Sequence, residues 1–303
     1  MKLTLSIPLL VLFATAALAQ PCADAAKVVK PVHPAEAAKT YEANLEIARE
    51  AYRSNPSIAD ELIWYGRRMG YTGEYKEAVK IFSEGIKKFP NDARMYRHRG
   101  HRYLTLRCFE DAIRDFEAAA NLIKGKPDSV EPDGMPNSRN IPTSTLQSNI
   151  WYHLGLAYYL KGDFRKAEKA YAECQKVSKN IDMLVATVYW RYMTLRRLRK
   201  AKDAKRLLDS LPKDVDVIEN EDYLKLIKLN RAEERPENLL STIKGDANTL
   251  GSASLGYGIG NYFLYNGDRE KATTIFRKIV EGDQWASFGY IAAEVELARQ
   301  PAK

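Results

Sequence analysis

Residues 59–92 read ADELIWYGRRMGYTGEYKEAVKIFSEGIKKFPND, and residues 93–126 read ARMYRHRGHRYLTLRCFEDAIRDFEAAANLIKGK. Laid over one another, the two stretches share a skeleton. Gly66 and Gly100 stand 34 residues apart, and so do Ala78 and Ala112, Phe82 and Phe116, Gly85 and Ala119, and Pro56 and Pro90. Five pairs at one interval mark an internal repeat. Short connections such as Thr72-Gly73-Glu74 and Lys161-Gly162-Asp163 turn one helix into the next. Glycine serves there as the helix stop, and the acidic residue sits near the following helix start. Each unit is therefore two antiparallel helices of about 12 to 14 residues that nest where small residues face each other. Larger side chains fill the gap to the next unit. One unit cannot bury its apolar face alone, so several must stack.

The pattern resembles the tetratricopeptide repeat. The first unit supplies Leu62, Gly66, Met69, Ala78, Phe82, Gly85 and Pro90 at the family's positions. The second supplies Tyr96, Gly100, Tyr103, Ala112, Phe116 and Ala119. The third, 148–181, supplies Trp151, Leu154, Gly155, Tyr158, Ala167, Tyr171 and Cys174. A fourth unit at 185–218 carries Ala204 but has Tyr192 where a small residue belongs. A fifth, 219–252, follows from the interval between Ala204 and Ala272, and Asn238 stands where alanine is expected. The sixth, 253–286, restores Gly260, Phe263, Ala272 and Phe276. Residues 35–54 read as a lone capping helix, and Trp285 to Arg299 as a last helix closing the stack. The resemblance implies an all-α, right-handed superhelix of about six helix pairs with a cap at each end. Gly100 and Gly155 are 55 apart, so an insertion near 126–145, rich in proline, enters between the second and third units. Such a loop either covers the groove or is a tolerated surface excursion.

The flanks and the bulk composition narrow the setting. Residues 1–19 read as an export signal: Lys2, an apolar run, then Ala17-Leu18-Ala19 ahead of Gln20. A proline-punctuated leader, 20–34, is expected to be flexible. Pro21 and Ala19 do not suit lipid attachment at Cys22. The three cysteines form no disulfide framework: Cys22 falls in the leader, Cys108 and Cys174 in helices, and one bridge is open to them that the fold should not need. The net charge is +8, or +7 after Lys2 leaves with the signal. That balance favours acidic partners: proteins, an anionic lipid surface or a cell-wall polymer, with nucleic acid ranked last for an exported chain.

In the family, the first helix of each unit lines the concave side. Mapping its positions gives Arg67 and Tyr71, then Arg94, Arg97, His98 and His101, then Asn149, Tyr152, His153 and Tyr159, then Tyr189, Trp190, Met193 and Arg196. Basic and aromatic residues alternate along one expected surface. Arginine forks grip carboxylates, and tyrosine and tryptophan give contact area. The sites expected to bind a partner peptide or protein are thus Arg67, Arg94, Arg97, His98, His101, Tyr152, His153, Tyr189 and Arg196. The lysine and asparagine clamp of the chaperone-binding members is absent, since Ile63, Arg97, Tyr152, Arg67, His101 and Leu156 occupy its places. The three histidines lack an expected cysteine or carboxylate neighbour, so no metal is expected. A run of basic residues, 196–206, offers a second surface for an anionic polymer or membrane. Gly256, Gly258 and Gly260 read as a tightly packed glycine-rich helix, not a nucleotide loop. No catalytic order of nucleophile and base is present. The chain reads as an interaction scaffold without cofactor, periplasmic or secreted.

Overall fold

The computed structural model describes residues 22–243 and 250–300, with the side chains of 250–252 excepted; the expected signal (1–19) and the end of the expected fifth unit lie outside them. Among the described residues all regular structure is helical. After α1 (Cys22–Ala25) and α2 (Ala35–Ser54) come the pairs α3 (Ala59–Tyr71) and α4 (Tyr75–Lys88), α5 (Ala93–Thr105) and α6 (Phe109–Ile123), α7 (Leu146–Lys161) and α8 (Phe164–Val177), and α9 (Ile181–Arg197) and α10 (Ala201–Asp209). The chain continues through α11 (Glu221–Asn230), α12 (Pro236–Ile243), α13 (Leu250–Tyr265) and α14 (Arg269–Val280) to α15 (Phe288–Ala298).

The repeat rests on one contact made four times. Gly66 faces the ring of Phe82, Gly100 that of Phe116, Gly155 that of Tyr171 and Gly260 that of Phe276. A methyl group built on Gly66 would lie 2.5 Å from the Phe82 ring, and one on Gly155 2.7 Å from the Tyr171 ring. Only a residue without Cβ lets the helices approach this closely. The turns inside three pairs use Gly73, Gly162 and Gly267 at φ of 83°, 93° and 92°, where an L side chain is disfavoured. Helix starts are fixed by side chains that accept orphan backbone N–H groups: Asp92 for α5, Asp163 for α8, Asp268 for α14, and Thr145 with Ser148 as a capping box for α7.

The ladder in which each helix packs on the next runs from α2 to α10 and then breaks. Helix α10 has only 9 residues and α12 only 8, too short to present a full apolar face. Helix α11 instead lies on α9 and α13. From there the chain turns inward. Tyr257 stacks on Trp190 with ring centroids 5.8 Å apart, and its hydroxyl donates to that of Tyr159 at 2.9 Å. Gly258 packs against Leu226 and the Tyr189 hydroxyl. Helix α15, expected to cap the end, also reaches back to the second and third pairs. Arg107 pairs with Glu294 and donates to the Trp285 carbonyl, and Arg299 donates to the carbonyls of Tyr159 and Leu160. Helices α13 and α15 thus place Tyr257, Gly258 and Phe288 against side chains of the second, third and fourth pairs.

The leader is docked, contrary to the expectation of a flexible segment. Cys22 and Cys108 form a disulfide that closes 86 residues of sequence. Ala23 is buried, Lys76 donates to the Asp24 carbonyl at 2.8 Å, Pro31 packs over Gly73, and His33 bonds the Tyr71 carbonyl at 3.1 Å. Cys108 is the residue capping α6, one position ahead of the helix. Cys174 is the one free cysteine, buried in α8, where burial pushes its thiol up to about 11.

Candidate functional site: a basic channel under an acidic strap

The insertion is where the sequence and the geometry meet. Val130 and Thr145 form an antiparallel bridge that pins its two ends, supported by Glu131 N–H to Ser144 and Leu146 N–H to Ser129. Between them the strap runs over residues of α3, α5 and α7. At one end Arg67 donates to the Pro132 carbonyl and Arg68 to the Gly134 carbonyl, each at 2.8 Å, and Gly134 lies against the Tyr71 ring. At the other end Arg139 pairs with Asp216, while Asn137 and Thr143 donate to Glu219 at 2.7 and 2.9 Å. The strap therefore ties the first pair to the loop before α11. That loop is itself fixed by Asp182, fully buried, whose carboxylate accepts from the backbone N–H groups of Ile218, Glu219 and Asn220.

Beneath the strap, Arg97 Nη2 meets Glu131 Oε1 at 2.9 Å, with both side chains 9% exposed. Asn149 donates to the second oxygen of Glu131 at 3.2 Å. Arg97 also donates to His98 Nδ1 at 3.0 Å, which leaves the proton of the neutral ring on Nε2, 3.8 Å from Glu131. Arg102 donates to His101 Nδ1 at 2.9 Å, and His153 Nδ1 donates to the Asn149 carbonyl at 2.6 Å. Burial, reinforced by the neighbouring arginines, holds all three imidazoles neutral. His98 and His101 lie well below the ordinary histidine value, and His153 is pushed down to about 3. Phe288 of α15 packs its ring on both His101 and His153, with centroids 5.4 and 5.5 Å away.

This arrangement divides the expected single surface. Arg67, Arg97 and His98 converge under the strap. His101, Tyr152, His153 and Tyr189 belong to the interior. Tyr152 is edge-on to His153 and Tyr171, and Tyr189 is 1% exposed and stacked near Tyr192 and Tyr223. They stand as packing residues: Phe288 of α15 lies on His101 and His153, Gly258 of α13 lies against Tyr189, and Tyr152 packs on Tyr171. Arg94 points elsewhere and pairs with Asp92 and Asp60. Arg196 donates to the Tyr265 carbonyl and the Tyr192 hydroxyl at a separate site. The expectation that no carboxylate neighbours the histidines is also corrected, since the insertion brings Glu131 there. The channel residues that the repeat pattern missed are Arg68, Glu131 and Asp182. Of these, only Glu131 had a signal, as an acidic residue in a loop opposite basic positions. Asn149 was on the concave list and does line the channel. The chemistry on offer is that of a cationic cleft around an extended backbone with one buried carboxylate; among the described residues the only group of three metal-type ligands is the Cys22–Cys108 bridge with Asp111.

Residues 148–181 match the family model of the tetratricopeptide repeat. The glycine–ring contact inside that matched stretch, Gly155 on Tyr171, recurs in the helix pairs around Gly66, Gly100 and Gly260. Among curated proteins, Hsp70-Hsp90 organizing protein 3 of Arabidopsis thaliana is 35% identical over 77 residues, which is 25% of this chain and 14% of that protein. The Hsp70-Hsp90 organizing protein of Triticum aestivum is 34% identical over 68 residues, covering 22% and 12%. The chain thus spans well under a fifth of these relatives. Solved structures resembling it include a tetratricopeptide repeat protein from Parabacteroides merdae (16% identity, 86% of this chain and 96% of that one, TM-score 0.48). Another is YrrB, described as a TPR protein with an unusual peptide-binding site (15% identity, 84% and 99%, TM-score 0.45).

Proposed function

We propose that the protein is a non-enzymatic scaffold of the periplasm or exterior that holds an extended, acidic segment of a partner protein in the channel between α3, α5 and α7. The observation carrying this reading is the buried pair of Glu131 with Arg97. The channel already holds a peptide of the chemistry it would accept, namely the chain's own Glu131-Pro132-Asp133-Gly134. An external segment would replace the strap and present a carboxylate to Arg97 and two carbonyls to Arg67 and Arg68. The non-enzymatic part is supported by the Cys174 thiol, which burial raises to about 11 and so leaves without thiolate character. Export is supported by the signal-like residues 1–19 and by a disulfide, a bond that persists in oxidising compartments. Ile63, Arg67, Arg97, His101, Tyr152 and Leu156 stand at the clamp positions, which argues against the chaperone partnership in the relatives' names.

Affinity capture from the native envelope tests the proposal. Glu131→Ala frees the channel and should enrich a defined set of partners over wild type, and adding Arg97→Ala should remove them. Identical partner sets for all three proteins would sink it.

A second reading places an anionic envelope polymer or membrane surface on the run 196–206. It is supported by the exposure of Arg199, Lys200 and Lys202, whereas Lys205 and Arg206 pair with Asp209 and Asp203 on their own helix. Capture through this run would fade steeply with salt.

A further inference from the structure

Away from the channel, five arginines surround a cavity of about 380 Å³ where the ends of α9, α13 and α15 meet the start of α14. They are Arg196, Arg197, Arg199, Arg269 and Arg299, and Glu296 is the only carboxylate among the lining residues. Three of the guanidinium groups are fixed in place. Arg196 is held by the Tyr265 carbonyl and the Tyr192 hydroxyl at 2.9 and 2.8 Å. Arg197 and Arg299 share the buried Glu296, at 2.7 and 2.9 Å on its two oxygens. Arg199 and Arg269 differ. Their side chains make no hydrogen bond or ion pair with any described residue, and both are exposed at the rim.

Glu296 offsets one of five positive charges. Like charges gathered around a cavity repel, and the repulsion is relieved by an anion between them. The unengaged guanidinium groups of Arg199 and Arg269 suit an oxyanion, because each offers two parallel N–H donors to a pair of oxygens, while the three fixed groups add positive charge around it. The volume is that of a small-molecule site, not of a polymer face. Arg199 also sits at φ 61°, a backbone region uncommon for a residue with a side chain, which directs it at the turn between α9 and α10.

We propose that this cavity is a binding site for a small, multiply charged oxyanion of the phosphate class. Arg199 and Arg269 close over the ligand, and Arg196, Arg197 and Arg299 form the preset wall. The site is independent of the channel and of what occupies it. The phosphoryl group could be free or borne on a lipid headgroup.

Isothermal titration of the full chain with pyrophosphate, in low-salt buffer with matched chloride, tests the site. One saturable site is expected, weakened at least tenfold in Arg199→Ala/Arg269→Ala, whose melting temperature without pyrophosphate should equal wild type. Arg269→Gln alone should weaken binding several-fold and serves if the double variant melts early. Vesicles containing phosphatidic acid, against purely zwitterionic ones, separate the two sources: capture that free pyrophosphate displaces assigns the headgroup, and pyrophosphate binding without vesicle capture assigns a free anion. No saturable binding of either probe, or equal binding by wild type and both variants, would overturn the proposal.

Discussion

Arg97 of α5 and Glu131 of the strap, each less than a tenth exposed, meet at 2.9 Å, so the insertion buries a carboxylate against the second helix pair. Their attraction must offset the cost of taking two charges out of water, which it does only while both are present. Glu131→Ala leaves Arg97 buried without its counter-ion and should cost about 3 kcal/mol or more. Arg97→Met with Glu131→Ala should recover part of that loss. A double-mutant cycle by urea denaturation reads the coupling, and amide exchange at residues 130–135 should rise in the single variant.

The disulfide holds the docked leader against the second helix pair. Closing 86 residues restricts the unfolded chain, an effect of about 4.6 kcal/mol for a loop of this length. Cys22→Ser should therefore lower the melting temperature under oxidising conditions, and a reductant should lower wild type to the same value while leaving the variant unchanged.

Three of the four histidines are held neutral, His98 and His153 buried and His101 half-buried. Their pKa values in the fold lie below the ordinary 6.5, and that of His153 is about 3. As pH falls through about 6.5 the unfolded chain takes up protons that the folded chain refuses. Stability is therefore full above that pH and is lost below it, at up to about 1.4 kcal/mol per pH unit for each histidine. Denaturation midpoints from pH 7.5 to 5 should show this fall, and His153→Phe should make it shallower.

The glycine contacts predict a graded series. Alanine gains up to about 1 kcal/mol over glycine in a helix interior, whereas overpacking costs about 1–3 kcal/mol. At Gly100 the added methyl would be 3.0 Å from Phe116, close enough for small adjustments, and the two effects should nearly cancel. At Gly66 and Gly155, with 2.5 and 2.7 Å, overpacking should win. Leucine at Gly100 or Gly155 should cost about 3 kcal/mol or more. Thermal melts rank them, and a larger loss for Gly100→Ala than for Gly155→Ala would contradict the packing described.

What could be read from the sequence was what repeats. The pairing of Gly66 with Phe82 recurs as Gly100 with Phe116 because each helix pair solves the same local packing problem, so its spacing survives in the residues. The helix at 35–54 and the glycine-rich helix around Gly256 follow from the same logic. The filled channel was not legible, because its contacts occur once. Glu131 reaches Arg97 through an insertion that breaks the period, Phe288 reaches His153 from the far end of the chain, and Cys22 finds Cys108 across two helix pairs. Helix-face mapping assigns Tyr152 and Tyr189 to the inner side, but only those long-range contacts show that the inner side is covered.

The most direct test of the self-occupied channel uses a labelled peptide of residues 129–137, SVEPDGMPN, followed by fluorescence anisotropy. The full-length Glu131→Ala chain should bind it saturably. Wild type should bind at least tenfold more weakly, since its own strap competes from within the molecule. The Glu131→Ala/Arg97→Ala chain should not bind it. Binding that ignores Arg97, or a Glu131→Ala chain that takes up no peptide, would contradict the account.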